Sequence, residues 1–224
     1  MTDRAQEQRA AEPAAQPGRP AGRAVTGYTL VIPPEWRKIP LRHGTDQAVR
    51  QVMDDIVGQL PRHVPPDRVR PYRRDIQTRL AALVREAQRK AGLDLYLPVL
   101  PMHGAPVGAS FVVSDVSMTG HDQVEPSMIT TAVASEDNAV TAVTVDGCPA
   151  LRVERTAGAA PAKDVEFGSR RVDYVISVPG APGRWLVVAF STLGGGDPED
   201  QIARLLAGLF DAIMSTFRWQ REPT

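Results

Sequence analysis

One cysteine stands in the 224 residues, Cys148. No internal disulfide can form and no cysteine-rich metal site exists. A lone thiol of this kind reads as a small buried hydrophobe rather than a nucleophile. Aromatic residues are scarce, at 5 %, which argues against an aromatic-lined sugar groove or single-stranded nucleic-acid channel. The four histidines, His43, His63, His103 and His121, stand apart, and none has a second His, Cys or carboxylate at the spacing that a helix or strand would need for a shared metal. His121 and Asp122 are adjacent and point different ways on any regular element. No nucleophile elbow, HExxH or Walker motif is present. Neither a metal nor a cofactor is expected, and the chain reads as a non-enzyme. Long apolar runs are absent too. The longest, Trp185 to Phe190, falls far short of a membrane span. Residues 1–24 hold acids and arginines without the apolar stretch of a signal peptide. Cysteine usage and the missing signal both point to the cytoplasm.

Apolar residues make up 42 % of the chain, enough for one sizeable core at roughly 100–200 residues per domain. Formal net charge is zero, yet it is polarised. Residues 1–92 carry 17 Lys+Arg against 10 Asp+Glu, a net of +7, and residues 93–224 carry 9 against 16, a net of −7. Arginine outnumbers lysine 23 to 3. With the abundant Ala and Pro, that points to a GC-rich bacterial genome more than to a function.

Residues 1–25 have almost nothing to bury and are expected to be a disordered tail. Gly27 to Ile32 reads as a strand stopped by Pro33-Pro34, and Trp36 to Leu41 as a second extended piece. Thr45 to Leu60 is predicted as a helix. Val49, Val52, Met53, Ile56, Val57 and Leu60 form its stripe, with Thr45 as cap. A second helical stretch follows Pro65-Pro66, firm from Tyr72 beyond the interruption at Pro71, with Ile76, Leu80, Leu83, Val84 and Ala87 inward and Gly92 as the C′ residue. From Leu93 the period changes. Leu93–Leu100, Ser110–Val116, Ala139–Val145 and Ala150–Arg155 read as strands, with a turn at Asp146-Gly147. Met128 to Val133 fits strand or helix, and residues 157–164 read as a loop. Arg171–Val178 and Trp185–Thr192 form the most secure hairpin. Asp197 and Pro198 open a last helix whose Ile202, Leu205, Leu206, Leu209, Phe210, Ile213, Met214 and Phe217 make a wide apolar face. Such a helix cannot stand alone, since its burial only offsets the cost of ordering it. It must lie across a sheet. The fold class expected is α/β (α+β), an antiparallel β-sheet packed against helices. It is one domain over residues 26–219, with a helical insertion at 44–92 and a short tail at 220–224.

The order of elements resembles the PsbP-like superfamily. The residues that carry the likeness are Tyr28-Thr29-Leu30-Val31-Ile32-Pro33-Pro34, Trp36, the turn Val145-Asp146-Gly147-Cys148-Pro149-Ala150, the hairpin around Tyr174 and Trp185, and the closing Ile213-Met214-Ser215-Thr216-Phe217. It extends over residues 27–41 and about 93–218, and it is nearest to the actinobacterial LpqN-type and Eag-type chaperone-like members. The resemblance implies an α/β sandwich that binds or assembles other proteins, with no shared catalytic residue. Residues 44–92 depart from the pattern as an enlarged helical segment, and no lipobox is present.

Three features could carry chemistry. Gly194-Gly195-Gly196 lies between a strand and a helix, as a phosphate loop does, but Asp197, Glu199 and Asp200 stand where the anion would sit. Glu35 with Glu166 or Asp173 would make an acid–base pair only if the fold brought them together. Residues 61–90 hold nine Lys+Arg against three Asp+Glu, with Asp75 and Arg79 a favourable i,i+4 pair. Arg62, Arg68, Arg70, Arg73 and Arg74 are the candidate partner-binding residues, read either as a solvated helix face or as a docking patch for an acidic partner. The function expected is a non-catalytic protein-binding adaptor or chaperone-like module for a secretion- or toxin-associated partner. The alternatives are nucleic-acid or acidic-partner binding through the arginine-rich helix, disfavoured for nucleic acid by the neutral chain, and a small-molecule-binding protein.

Overall fold

Val172, Tyr174, Ile176 and Val178 are all buried in one cluster, as their period-2 spacing predicts. The neighbouring Val175, on the opposite face of the same strand, belongs to another. That alternation runs through a sheet whose two faces are covered differently. The computed structural model describes residues 23–60, 66–102, 104, 107–117, 139–157, 168–192 and 197–222, with backbone only at 66–68 and 157. In chain order these form β1 (Val25–Thr29), β2 (Trp36–Pro40), α1 (Thr45–Gly58), α2 (Pro66–Arg89), β3 (Gly92–Pro98), β4 (Ala109–Ser117), β5 (Ala139–Val145), β6 (Cys148–Ala157), β7 (Ser169–Ser177), β8 (Arg184–Thr192), α3 (Gln201–Ser215) and β9 (Arg218–Arg221). The protein is α+β. A seven-stranded antiparallel sheet runs in the order β2-β3-β4-β8-β7-β6-β5, and β1 pairs with β9 in a separate two-stranded ribbon.

α3 and the ribbon cover one face. Phe210, Ile213, Met214 and Phe217 pack there with Phe111, Val188 and Phe190. α1 and α2 cover the other face over β2, β3 and β4, where Val52, Met53, Leu80 and Val84 meet Ile39 and Leu95. Trp185, Leu151 and Val175 form a smaller cluster on that same face farther along the sheet. The Asp146-Gly147 turn has both residues at positive φ, 47° and 75°, the conformation that a two-residue hairpin requires. Cys148, directly after it, is free and buried.

α3 is strapped to the sheet by ions as well as by apolar contact. Arg152 on β6 donates Nε and Nη2 to the two carboxylate oxygens of Asp211 on α3, both at 2.9 Å, and Nη1 to Glu154 at 2.6 Å. Arg170 on β7 donates to the other oxygen of Glu154 at 2.6 Å and to the Pro198 carbonyl before α3 at 3.1 Å. The Tyr174 hydroxyl donates to Asp211 at 2.9 Å.

Several local expectations are corrected. α1 is preceded by Gly44 in the left-handed region, and the Thr45 hydroxyl donates back to the Pro40 carbonyl instead of capping. α2 is continuous through Pro71, its sixth residue, where the ring removes one intrahelical bond, the one to the Asp67 carbonyl, without ending the helix. The left-handed residue after α2 is Ala91. Gly92 instead begins β3, where a Cβ would fall 2.7 Å from the Ala87 carbonyl oxygen. The cap of α3 is Asp200, not Asp197. Its carboxylate accepts from the Ala203 amide at 2.6 Å, while Asp197 holds the preceding turn through the Glu199 amide. Asp200→Ala is therefore expected to cost about 1 kcal/mol and Asp197→Ala less, measured as the shift in thermal unfolding midpoint. Residues 218–221 pair as β9 with β1, so the chain ends in the ribbon where a helix end and tail were expected. Finally, Ile202 and Leu205, expected in the buried face of the last helix, are 66 % and 64 % exposed.

Candidate docking surface and polar clasp

The arginines singled out from sequence fall on α2 or just before it. Arg62 lies outside the described residues, and of Arg68 only the backbone in α2 is described. Arg70, Arg73 and Arg74 are all exposed on the N-terminal half of the helix. Arg73 reaches Asp54 of α1 at 3.5 Å, a loose pair with both side chains more than half exposed. Arg70 and Arg74 have no carboxylate within ion-pair distance among the described residues. Farther along, Arg79 pairs with Asp75 at 3.0 Å and Lys90 with Glu86 at 2.6 Å, both at i,i+4, while Arg85 and Arg89 are exposed with no carboxylate within ion-pair distance among the described residues, so each half of the helix carries a cationic surplus. Tyr72, on the first half of the helix, is 45 % exposed. Its helical neighbours turn inward only from Ile76 onward, because the apolar stripe of α2 begins there.

A polar cluster that the sequence reading missed joins the ribbon to the sheet. Tyr28 on β1 stacks on Phe217, with ring centroids 5.7 Å apart. It donates its hydroxyl to Asp94 on β3 in a short hydrogen bond and lies 3.3 Å from the Tyr96 hydroxyl. Lys38 on β2 pairs with the same carboxylate at 3.0 Å. Asp94 is only 7 % exposed, and a buried carboxylate is tolerated only when paired and hydrogen-bonded. Burial raises the Tyr28 phenol, and the neighbouring Tyr96 and Asp94 raise it further. Burial alone would depress Lys38, but Tyr96 and Asp94 outweigh it, and its ammonium is held. Both groups therefore keep their protons, and the cluster works as a clasp. On the facing strand the ribbon is tied by the Trp219 amide, opposite Tyr28, which donates to Asp146 at 2.9 Å. A signal was available: Leu93-Asp94-Leu95-Tyr96-Leu97 sets a carboxylate in an otherwise apolar strand, and such a group needs a partner.

Between ribbon and sheet lies a cavity of about 380 Å³, walled by Lys38, Asp94, Asp115, Arg184 and Trp219 and with Arg42 and His43 among its lining residues. Its carboxylates are occupied. Asp94 holds Lys38 and Tyr28, and Asp115 accepts two bonds from Arg184, at 2.9 and 2.7 Å, which keep its carboxyl below the usual carboxylate range. On the other face a groove of about 460 Å³ runs beside α2, with Arg155, Arg171 and Asp173 along one side. Arg155 pairs with Asp173 at 2.7 Å.

Glu35 and Asp173 do not converge. Asp173 on β7 is in register with Ala189, Val112, Leu95 and Ile39 in succession, so four strand spacings, about 19 Å, separate it from β2, and Glu35 lies before β2. Glu166, His63, His103, His121 and Gly194–Gly196 lie outside the described residues. Among the described residues, no group of three or more His, Cys, Asp or Glu is placed to hold a metal, and no helix is long and apolar enough to cross a membrane.

No protein-family model matches the chain, and no curated protein matches it. Among solved structures, it is similar to LpqN, described as involved in cell envelope biogenesis of Mycobacterium tuberculosis. The TM-score is 0.43 and the identity 11 %, with 91 % of this chain and 87 % of that chain covered. The LpqN-type likeness expected from the order of elements therefore stands as a distant structural relationship, not as membership of a family.

Proposed function

We propose that this protein is a non-catalytic docking module, an adaptor or chaperone-like protein for an acidic protein partner, and that the first turns of α2 are its contact surface. The observation that carries the reading is Tyr72. It is a large aromatic ring, 45 % exposed, on the same turns of α2 as the exposed Arg70, Arg73 and Arg74. Tyrosine and arginine are among the side chains that most often dominate binding energy in protein interfaces, and an exposed ring on a helix that carries exposed cations fits a partner with an apolar pocket and acidic groups around it. The polar clusters elsewhere support a non-catalytic reading, because their acids and bases are spent on each other in holding the ribbon and α3 in place.

The test compares the wild type with Arg70→Glu/Arg74→Glu as bait in lysate of the native host. A stoichiometric protein is expected with the wild type, lost or weakened at least tenfold with the double variant and sensitive to salt. Both positions are exposed, so the free energy of unfolding is expected to stay within about 0.5 kcal/mol of wild type. Equal recovery by both baits sinks the surface assignment. A low-salt mobility shift with nucleic acid that the double variant abolishes would favour the nucleic-acid reading instead.

A further inference from the structure

We infer that the outward face of α3 is a contact between two copies of this chain, paired antiparallel about a two-fold axis near residues 207 and 208. This inference is independent of the surface proposed on α2.

Ile202 and Leu205 are 66 % and 64 % exposed on a capped helix of 15 residues. Neighbouring exposed side chains of this size mark an interaction surface when they lie in one patch. Helical spacing puts them in one. Leu205, Gly208 and Ala212 run down the centre of the outward face, at i, i+3 and i+7. Ile202 and Leu209 flank it on one side, and Arg204 and Asp211 on the other. Gly208 is exposed, and a Cβ there would meet nothing within 4 Å. Glycine weakens a helix interior relative to alanine, and nothing in the fold of one copy requires it. A second helix approaching closely would.

The occupant follows from the pattern of the face itself. A two-fold axis between 207 and 208 sets Leu205 of one copy level with position 210 of the other, which on the outward face is the gap between Gly208 and Ala212. Each leucine enters the hollow left by the two small residues, as a knob enters a hole, and each copy supplies both parts, as a closed two-fold contact demands. The same axis sets Arg204 level with Asp211 of the second copy. Arg204 is exposed, with no carboxylate within ion-pair distance among the described residues. Both carboxylate oxygens of Asp211 accept from Arg152, and one also from Tyr174, yet 36 % of its side chain stays exposed. A parallel two-fold pairing would set the Arg204–Asp211 flank of one copy against the Ile202–Leu209 flank of the other and lose both complementarities. The contact is about 22 Å long, and one helix pair buries less than the roughly 1,200–2,000 Å² of a standard interface, so self-association in the micromolar range is expected.

Two measurements on the full chain test this. In sedimentation velocity the wild type is expected to pass from monomer to dimer across the micromolar range. Gly208→Leu is expected to weaken the dimer at least tenfold while the unfolding midpoint of the dilute protein does not fall. In mild oxidation Gly208→Cys is expected to form a covalent dimer, because its sulfur lies about 2 Å along the axis from its mate. Gln201→Cys, about 20 Å from its mate, is expected to form none. Cys148, buried at 8 % exposure, stays out of the reaction. A wild type that remains monomeric to several hundred micromolar, a dimer indifferent to Gly208→Leu, or equal cross-linking at 201 and 208 would each overturn the proposal.

Discussion

Phe210→Ala is expected to lower the free energy of unfolding by about 3–5 kcal/mol and the thermal midpoint by about 10 °C. The ring is 1 % exposed and lies where α3 crosses the centre of the sheet. It stacks on Phe190 at 4.9 Å, meets Phe111 tilted at 5.4 Å and meets Tyr174 edge-on at 5.7 Å. Each such pair adds roughly 0.5–1.5 kcal/mol beyond area burial, which places the loss in the upper half of the range. Removing the ring opens a void bounded by three other rings, all held by strands β4, β7 and β8, so the walls cannot collapse into it. Leu205→Ala, five residues earlier on the same helix, is expected to change stability by less than about 0.5 kcal/mol in dilute protein, because that side chain leaves one copy of the chain almost untouched. Urea unfolding of the two variants side by side separates the faces of α3. A loss below 1 kcal/mol at Phe210 would mean that α3 is not the lid of this core.

The contrast between Phe210 and Leu205 also shows where sequence reading succeeds and where it stops. Strands β7 and β8 were legible because alternation is a local property, and the position of α3 over them followed from an apolar stripe too long to leave in water. Periodicity could not divide that stripe into an inner and an outer half. Ile202 and Leu205 sit at the same spacing as Phe210 and Ile213, and only the crossing of helix over sheet decides which of them are covered. β9 was illegible for a different reason. Arg218-Trp219-Gln220-Arg221 has two charges in four residues, and its stability comes from a partner strand nearly 190 residues earlier. The clasp is similar. Tyr28 and Asp94 are 66 residues apart, and while the isolated carboxylate in an apolar strand announces that some partner exists, it does not say which. The arginines of α2 were legible as a basic run, but which of them go unpaired depends on where α1 puts Asp54.

The straps that hold α3 carry the second large effect, and they bind it to pH. Burial alone would raise the Glu154 carboxyl, but hydrogen bonds from Arg152 and Arg170 outweigh it and hold the group below its ordinary range. Asp115 is held low by Arg184. For both groups the folded chain binds protons less readily than the unfolded one, so their contribution is complete above the unfolded-state values of about 4 and is lost as pH falls through the depressed folded values. Asp173 runs the other way. Burial raises it in spite of Arg155, so its charge weakens the fold as pH rises through the interval between the unfolded value and the raised folded one. Glu154→Gln is expected to cost about 2–3 kcal/mol at neutral pH. That lies below the 3–5 kcal/mol for breaking a fully buried pair, because Arg152 keeps Asp211 and Arg170 keeps Glu199 at 3.2 Å. The same variant is expected to flatten the rise of stability with pH on the acid side, and Asp173→Asn to steepen it. Chemical denaturation of the three proteins at a series of pH values below neutrality reads both slopes. If Glu154→Gln left both stability and slope at the wild-type values, the arginines would be solvated charges, and α3 would be held by apolar packing alone.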